Sequence, residues 1–197
     1  MIHGMTPKPT IGVLALQGDF EAHRRRLEEL GAAAVLVRRP EQLNGLDGLV
    51  IPGGESTTFL KLLGDNGFEK LREFVRRRPV FGTCAGAILL AEEILNPTQP
   101  GLGVLHVTVR RNAYGRQRES SIRLGQSTLS RQPLEMVFIR APRFERLGPG
   151  VEVLARDQND PVLVREGNIL AATFHPELSE DTCVHQAFVQ MVTAGKG

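Results

Sequence analysis

The sequence predicts an α/β fold: a three-layer, mostly parallel open sheet flanked by helices, with extra antiparallel strands in the middle region. Three observations predict it. Apolar runs that read as buried strands alternate with amphipathic helical segments over residues 11–83. Short strand signals then follow one another closely over residues 104–164. A last apolar run and a helical segment close the chain. We expect one domain over residues 11–195, after a flexible lead-in at residues 1–10.

Strands and helices alternate in the first part of the chain. Residues 11–16 form a continuous apolar run, as expected of a strand covered on both faces. Asp19 can cap a helix that extends to Leu30, with Phe20 and Leu27 on its inner stripe. The next strands are predicted at residues 34–37 and 48–51, helices at 56–63 and 68–77, and a fourth strand from Val80.

The middle of the chain predicts antiparallel hairpins that are attached to the parallel core or extend it. Their strands are expected at residues 104–110, 120–124, 135–139, 151–155 and 161–164. Residues 169–174 read as a last core strand, and residues 180–192 as the closing helix.

Composition excludes several classes of function. A net charge of +2, no Trp and one Tyr argue against a nucleic-acid surface. No apolar stretch approaches the length of a membrane span, and no secretory signal is visible, so we expect a cytoplasmic protein. A single bridge between Cys84 and Cys183 is conceivable but cannot be read from the sequence. No cluster has metal-ligand spacing, and we expect no metal or cofactor.

Cys84 lies between Gly82 and Gly86, where an apolar strand breaks and residues 87–93 read as a helix. This pattern fits a nucleophile elbow, in which a strained backbone directs the side chain into a cleft. Glycines are expected there because a Cβ would collide with a neighbouring strand or helix. Backbone N–H groups at a helix start also favour a thiolate. A buried structural cysteine is the alternative, and this motif alone leaves both open.

A cysteine nucleophile needs a base, and His175 is the strongest candidate because it directly follows a core strand. Glu177, two residues further on, can orient its ring and complete a Cys-His-acid set. The remaining histidines are less suitable. His3 lies in the lead-in, His106 lies in a predicted strand, and His23 and His185 lie in predicted helices, where a surface or core-edge role is expected.

Acyl chemistry also needs donors for a developing oxyanion. The backbone N–H of Ala85 is one candidate, and Gly53 or Gly54, after the third strand, can supply another, although a plain turn is the alternative there. These loops, the elbow and the His175 motif all follow strand ends. Ligands of open α/β sheets bind beyond the carboxyl ends of the strands, so we expect the three to form one site.

The motifs at residues 52–56, 82–86 and 175–177, in this order, resemble the class I (triad) glutamine amidotransferases, a flavodoxin-like family. Longer segments resemble the glutaminase subunits of pyridoxal 5′-phosphate synthase, over about residues 11–192. The resembling segments are residues 16–19, 38–43, 52–58, 81–86, 111–117, 138–142 and 174–178. Residues 111–117 and 139–142 point to this subfamily.

The resemblance implies a role for each matching residue. Cys84 would be the nucleophile, with His175 and Glu177 completing the triad. Gly54, together with Ala85, would form the oxyanion hole. The implied glutamine-binding residues are Gly54, Glu55, Ser56, Arg111, Ile139 and Arg140, and Gln17 is implied to lie near a partner interface. Without the resemblance, the two arginines would read as surface residues.

The implied reaction is hydrolysis of glutamine to glutamate and ammonia, without a metal or cofactor. The implied partner is a (β/α)₈-barrel synthase subunit that uses the ammonia to make pyridoxal 5′-phosphate, in a large hetero-oligomer where docking activates the glutaminase. Three alternatives remain open from the residues. They are a triad glutaminase serving another pathway, a flavodoxin-like protein of the DJ-1 type whose elbow cysteine senses oxidation or acts on small electrophiles, and a non-enzymatic regulatory subunit. No nucleic-acid or membrane partner is expected.

Overall fold

A nine-stranded sheet forms the centre of the protein. The computed structural model describes residues 7–113 and 120–196. Residues 1–6 of the predicted lead-in and residues 114–117 of the subfamily segment lie outside the described residues. The strands are β1 (Thr10–Leu14), β2 (Ala33–Val37), β3 (Gly48–Ile51), β4 (Val80–Thr83), β5 (Ala91–Leu95), β6 (Leu105–Arg110), β7 (Ser120–Ser127), β8 (Leu134–Ile139), β9 (Arg143–Leu147), β10 (Glu152–Asp157), β11 (Asp160–Glu166) and β12 (Ile169–Ala172).

The large sheet has the order β2-β1-β3-β4-β12-β11-β10-β7-β8. Its first five strands are parallel, and the last four continue it with antiparallel pairings. A smaller sheet has the order β5-β6-β9. The predicted fold class is therefore confirmed, and the middle strands extend the parallel core, as expected. The single domain over residues 11–195 stays a prediction.

Helices cover both faces of the parallel strands. The α-helices are α1 (Phe20–Glu29), α2 (Ser56–Arg77), α3 (Ala85–Leu90) and α4 (Cys183–Ala194). Side chains of β3 alternate between the faces, because successive residues of a strand point in opposite directions. Leu49 and Ile51 join the core under α2, α3 and the small sheet, whereas Val50 joins the core under α1 and α4. This arrangement gives the three layers.

Two strands were not predicted from the sequence. The helix expected over residues 87–93 ends at Leu90. The carbonyl oxygens of Leu89 and Leu90 accept hydrogen bonds from the N–H groups of Leu102 and Val104, in the loop before β6, instead of from a further helical turn. The helix-favouring residues of β5 then pair with β6 instead. β9 was missed because three of its five residues are charged, although Phe144 is buried.

Two helix starts also differ from the prediction. Asp19 occupies the N-cap position of α1, but its side chain makes no capping hydrogen bond, and only its carbonyl accepts from the first turn. α4 begins at Cys183 rather than residue 180, because the side chain of Asp181 accepts from the N–H of Cys183 and holds a turn there. The break predicted between residues 63 and 68 is present: α2 is interrupted at Gly64, with φ 61° and ψ 177°.

No helix within the described ranges combines the length and the apolar character that crossing a bilayer requires.

Candidate active site

Three neighbouring strand ends form the candidate site. β3, β4 and β12 are adjacent and parallel, so their carboxyl ends meet at one edge of the sheet. Gly53, Cys84 and His175 follow these ends, and all three line one cavity of about 390 Å³. The cavity is also lined by Gly18, Asp19, Gly54, Glu55, Ser56, Ile88, Arg111, Asn112, Ile139, Arg140 and Pro142. The three motifs therefore converge on one cavity, as expected.

Cys84 has the backbone of a nucleophile elbow. Its φ of 47° and ψ of −105° lie in a region that a non-glycine residue rarely adopts, and its side chain is buried. A Cβ on Gly82 would lie 2.7 Å from the carbonyl carbon of Gly86, and a Cβ on Gly86 would overlap the carbonyl oxygen of Ile51. The predicted need for both glycines is thus confirmed. Both cysteines of the chain are free.

His175 is held by Glu177 in a buried pair. Nδ1 of His175 lies 2.7 Å from Oε1 of Glu177. Burial alone would raise the pKa of Glu177, but His23 and the hydrogen bond from His175 outweigh it and hold the pKa at about 2. The ionised carboxylate only accepts, so Nδ1 carries the proton and Nε2 is left for the sulfur. The acid therefore fixes both the tautomer and the orientation of the ring.

The charge state of His175 follows from its two neighbours. Burial alone would lower the pKa of His175, but hydrogen bonding with Cys84 and Glu177 raises it to about 10. The ring is therefore a cation at neutral pH and can give up a proton. Such a cation beside a sulfur is the arrangement that favours a thiolate nucleophile.

The loop after β3 passes close to the reactive groups. A Cβ on Gly53 would lie 2.5 Å from Cε1 of His175 and 3.4 Å from Cβ of Cys84, so only glycine fits between them. Gly54 has a φ of 129°, which strongly favours glycine. Ala85 is the first residue of α3, so its N–H has no partner within the helix. Of the two predicted oxyanion donors, Ala85 directly follows Cys84 and Gly54 lines the same cavity.

Arg111 and Glu55 form an ion pair at the cavity. Nη2 of Arg111 lies 2.9 Å from Oε1 of Glu55, which is exposed. Nη1 of Arg111 is buried and has no hydrogen-bond partner among the described residues. Ile139 and Arg140 lie across the cavity, and the thiol of Cys84 faces the carbonyl oxygen of Ile139 at 3.9 Å.

Ser56 and Gln17 are placed at the edges of this loop. The hydroxyl of Ser56 is buried and donates to the side-chain oxygen of Gln99 at 2.8 Å, so this hydroxyl is already engaged. Nε2 of Gln17 donates to the carbonyl oxygen of Glu55 at 2.5 Å, and a Cβ on Gly54 would lie 2.8 Å from Cδ of Gln17. Gln17 thus packs against the loop that carries the candidate oxyanion donor.

Two histidines lie deeper in the protein than the sequence predicts. His23 and His185 were expected at a surface or core edge, yet both are fully buried. His23 reaches the carboxylate of Glu177, with Nε2 at 3.4 Å from Oε2. The burial of His23 could have been predicted from its position in the helix. His23 precedes the buried Leu27 by four residues, which puts both side chains on the same face of α1.

A family model for the SNO glutamine amidotransferases matches residues 13–194. The chain belongs to the SNO glutamine amidotransferase family. Within that family it is 64% identical, over 94% of its length and 96% of the relative's, to a protein of Koribacter versatilis named pyridoxal 5′-phosphate synthase subunit PdxT. A protein of the same name from Thermotoga maritima is 51% identical, over 92% of this chain and 98% of the relative.

Solved structures place the amidotransferase among similar folds. The crystal structure of a glutamine amidotransferase that is 51% identical superimposes with a TM-score of 0.86, covering 92% of this chain and 98% of that one. A glutamine amidotransferase from Thermotoga maritima, at 16% identity, has a TM-score of 0.63 over 97% of this chain and 86% of that one, and this likeness concerns the fold alone.

Proposed function

We propose that this amidotransferase hydrolyses glutamine to glutamate and ammonia and delivers the ammonia to a synthase subunit that makes pyridoxal 5′-phosphate. One observation carries the proposal: the same cavity is lined by a thiol, an imidazolium with its carboxylate, and a buried guanidinium nitrogen that has no hydrogen-bond partner among the described residues. These groups match the two ends of glutamine, because the side-chain amide needs a nucleophile and the α-carboxylate needs a cation.

The substrate would be held by the ion pair at the cavity mouth. Nη1 of Arg111, which has no partner in residues 7–113 and 120–196, is a donor for the α-carboxylate of glutamine, and a guanidinium binds a carboxylate with two parallel hydrogen bonds. The exposed carboxylate of Glu55 can take the α-ammonium group. Backbone of Gly54, Ile139 and Arg140 would complete the walls around the side chain. Ser56 would contribute backbone only, since its hydroxyl is engaged by Gln99.

The proposed reaction uses the His175 cation and the sulfur of Cys84, which line the same cavity. The thiolate of Cys84 attacks the amide carbon, and the N–H groups of Gly54 and Ala85 stabilise the tetrahedral oxyanion. His175, whose pKa of about 10 keeps it protonated, gives its proton to the departing ammonia. The neutral ring then takes a proton from water, which attacks the glutamyl thioester. Taking that proton regenerates the His175 cation. Collapse of the second tetrahedral intermediate then expels the thiolate of Cys84 and releases glutamate, whose new carboxyl group loses its proton to solvent. Glu177 holds the ring throughout.

The partner in this proposal is the (β/α)₈-barrel type of synthase subunit, assembled with the glutaminase in a large hetero-oligomer. The names of the relatives support a role in pyridoxal 5′-phosphate synthase over service to another pathway. Gln17 supplies a physical link between a docking surface and the site, because it contacts the loop of Gly54 and Glu55. Docking would shift this loop toward its active arrangement, so that the chain would not hydrolyse glutamine wastefully in the absence of the synthase. A reducing, cytoplasmic location belongs to the same proposal, since Cys84 must remain a thiol.

The test measures glutamate release by the purified chain with and without a barrel synthase subunit. With synthase, ribose 5-phosphate and glyceraldehyde 3-phosphate present, the expected result is a large stimulation of glutamate release and glutamine-dependent formation of pyridoxal 5′-phosphate. Equal rates of hydrolysis with and without synthase would refute activation by docking. No glutamate release in either condition would refute the glutaminase itself.

A further inference from the structure

A third histidine lies directly behind the Cys84–His175–Glu177 set. His23 projects from α1, and its Nε2 faces Oε2 of Glu177 at 3.4 Å and the hydroxyl of Thr83 at 3.2 Å. Oε1 of the same carboxylate is used by His175 at 2.7 Å. Oε2 is buried and has no hydrogen-bond partner among the described residues, because Nε2 of His23 makes its hydrogen bond in this structure with the hydroxyl of Thr83. Catalytic hydrogen bonds are often long in the free enzyme and tighten with substrate bound, so His23 is placed to serve this oxygen.

His185 on α4 forms the next contact. Its Nε2 lies 2.9 Å from Nδ1 of His23, and its own Nδ1 is buried without a hydrogen-bond partner among the described residues. Burial lowers the pKa of His23, and burial together with the neighbouring His23 lowers that of His185 to about 3. Both rings are therefore neutral at physiological pH. One proton must lie between the two facing nitrogens, and its position decides what His23 presents to Glu177.

The two possible arrangements differ in energy. If His23 donated to His185, its Nε2 lone pair could accept from the hydroxyl of Thr83 but would also face the carboxylate of Glu177, and an N–H of His185 would be buried without an acceptor among the described residues. If His185 donates to His23, then Nε2 of His23 carries a proton toward the carboxylate, and only a lone pair of His185 is unpaired. In the second arrangement the contact between Nε2 of His23 and the carboxylate of Glu177 is attractive rather than repulsive. In addition, a buried donor without a partner is rarer in proteins than a buried acceptor without one. The second arrangement is favoured.

We propose that His23 is a positioning residue for glutamine hydrolysis: with its tautomer fixed by His185, it donates Nε2–H to the second oxygen of Glu177 and holds that carboxylate against His175. The inference rests on the proposed function. The terminal torsion of a Glu side chain is broad, so a carboxylate bound through one oxygen can rotate. A donor on the second oxygen fixes its plane, which in turn fixes the hydrogen bond to His175.

The surrounding charges agree with this role. The charged groups that face His23 are Glu177 and His175 at the turn after β12 and Asp19 at the start of α1, while Arg26 faces His185. A neutral His23 lowers the pKa of Glu177 only by donating a hydrogen bond to its ionised carboxylate. Removing His23 should therefore raise the pKa of Glu177 toward its ordinary range.

The test compares His23→Leu, which removes the ring nitrogens, with His23→Gln, which places an amide N–H near the position of Nε2. His23→Asn is the matched control, because its amide nitrogen lies near the position of Nδ1 instead. Leu27→Ala controls for lost packing, since it opens a cavity on the same helix and keeps the ring nitrogens of His23. Each variant is assayed for kcat and KM of glutamine hydrolysis over pH 4 to 9, at saturating synthase subunit, beside the wild-type complex.

We expect His23→Leu to lower kcat by about 10- to 100-fold with KM nearly unchanged, as is typical when a residue that orients a catalytic group is lost. The acid limb of kcat/KM should move to higher pH. His23→Gln should recover most of the rate, while Leu27→Ala keeps the wild-type pH profile. If the His23→Leu variant does not fold, the test rests on the comparison of His23→Gln with His23→Asn. We then expect His23→Gln to have the higher kcat.

Wild-type kcat in His23→Leu, or equal kcat in the Gln and Asn variants, would overturn the inference. So would a loss in Leu27→Ala that equals the loss in His23→Leu. An inactive wild-type complex would instead refute the proposed function, so the two failures are distinguishable.

Discussion

Gly53→Ala tests whether the site depends on the close passage of the loop after β3. The new Cβ would lie 2.5 Å from Cε1 of His175, about 0.9 Å short of the distance at which ordinary contacts begin. Either the His175 ring or the loop must move by that amount. The ring is held from behind by Glu177, and the loop continues into the candidate oxyanion donor, so both movements damage the reacting geometry. The φ of Gly53 is not positive, so the change adds no backbone strain and acts on the site through steric contact.

A displacement of about 1 Å in a catalytic group costs on the order of 100-fold in rate, equivalent to about 2.7 kcal/mol of activation free energy. We therefore expect kcat for glutamate release by the synthase complex to fall about 100-fold in Gly53→Ala. Gly150→Ala is the control, because its Cβ would make only an ordinary contact of 3.4 Å with Glu166. Thermal unfolding of both variants checks that they fold. A kcat within threefold of wild type in folded Gly53→Ala would refute this reasoning.

Three further predictions concern the triad and the substrate contacts. Cys84→Ala should lower hydrolysis by at least about 10⁴-fold while leaving the unfolding temperature and co-purification with the synthase unchanged, and residual hydrolysis near the wild-type rate would contradict its role as nucleophile. Arg111→Lys should raise KM for glutamine about 10- to 100-fold with little change in kcat, because a lysine cannot make the paired hydrogen bonds of a guanidinium to a carboxylate; an unchanged KM would argue against this contact. Glu177 has a lowered pKa, so its ionised form stabilises the fold above about pH 4.5, and that stabilisation is lost as pH falls through about 2. The difference in unfolding free energy between wild type and Glu177→Gln should therefore shrink by up to about 3 kcal/mol between pH 5 and pH 2, whereas a constant difference in denaturant titrations would contradict the lowered pKa.

The arrangement of the site could be predicted because parallel strands impose it. Cys84 and His175 are 91 positions apart in the sequence, yet each follows a strand that ends at the same edge of the sheet. The apolar runs and the residues directly after them are therefore enough to predict that these two side chains lie at one edge of the sheet. The elbow glycines were predictable for a similar reason, since backbone must pass close to backbone where a strand turns sharply into a helix.

Other features depended on contacts that no local pattern records. Arg111 reads as a surface residue in sequence, and only the packing of its neighbours buries it beside Glu55. His23 precedes three consecutive arginines, which made the helix look solvated, although the opposite face of the same helix packs on the core. β5 contains residues that favour helix, and a hydrogen-bonded loop overrides that preference. Each error is a case in which tertiary packing outweighed local propensity.

Labelling with a glutamine-analogue electrophile tests the central claim most directly. The synthase complex is incubated with the reagent, with and without excess glutamine, and the modified residue is located by peptide mass spectrometry. We predict one label per glutaminase chain, on Cys84, with protection by glutamine. Cys183 should remain unmodified, because burial and the neighbouring Asp181 raise its pKa to about 12. A label on Cys183, or an unlabelled Cys84 in a complex that hydrolyses glutamine, would contradict the account.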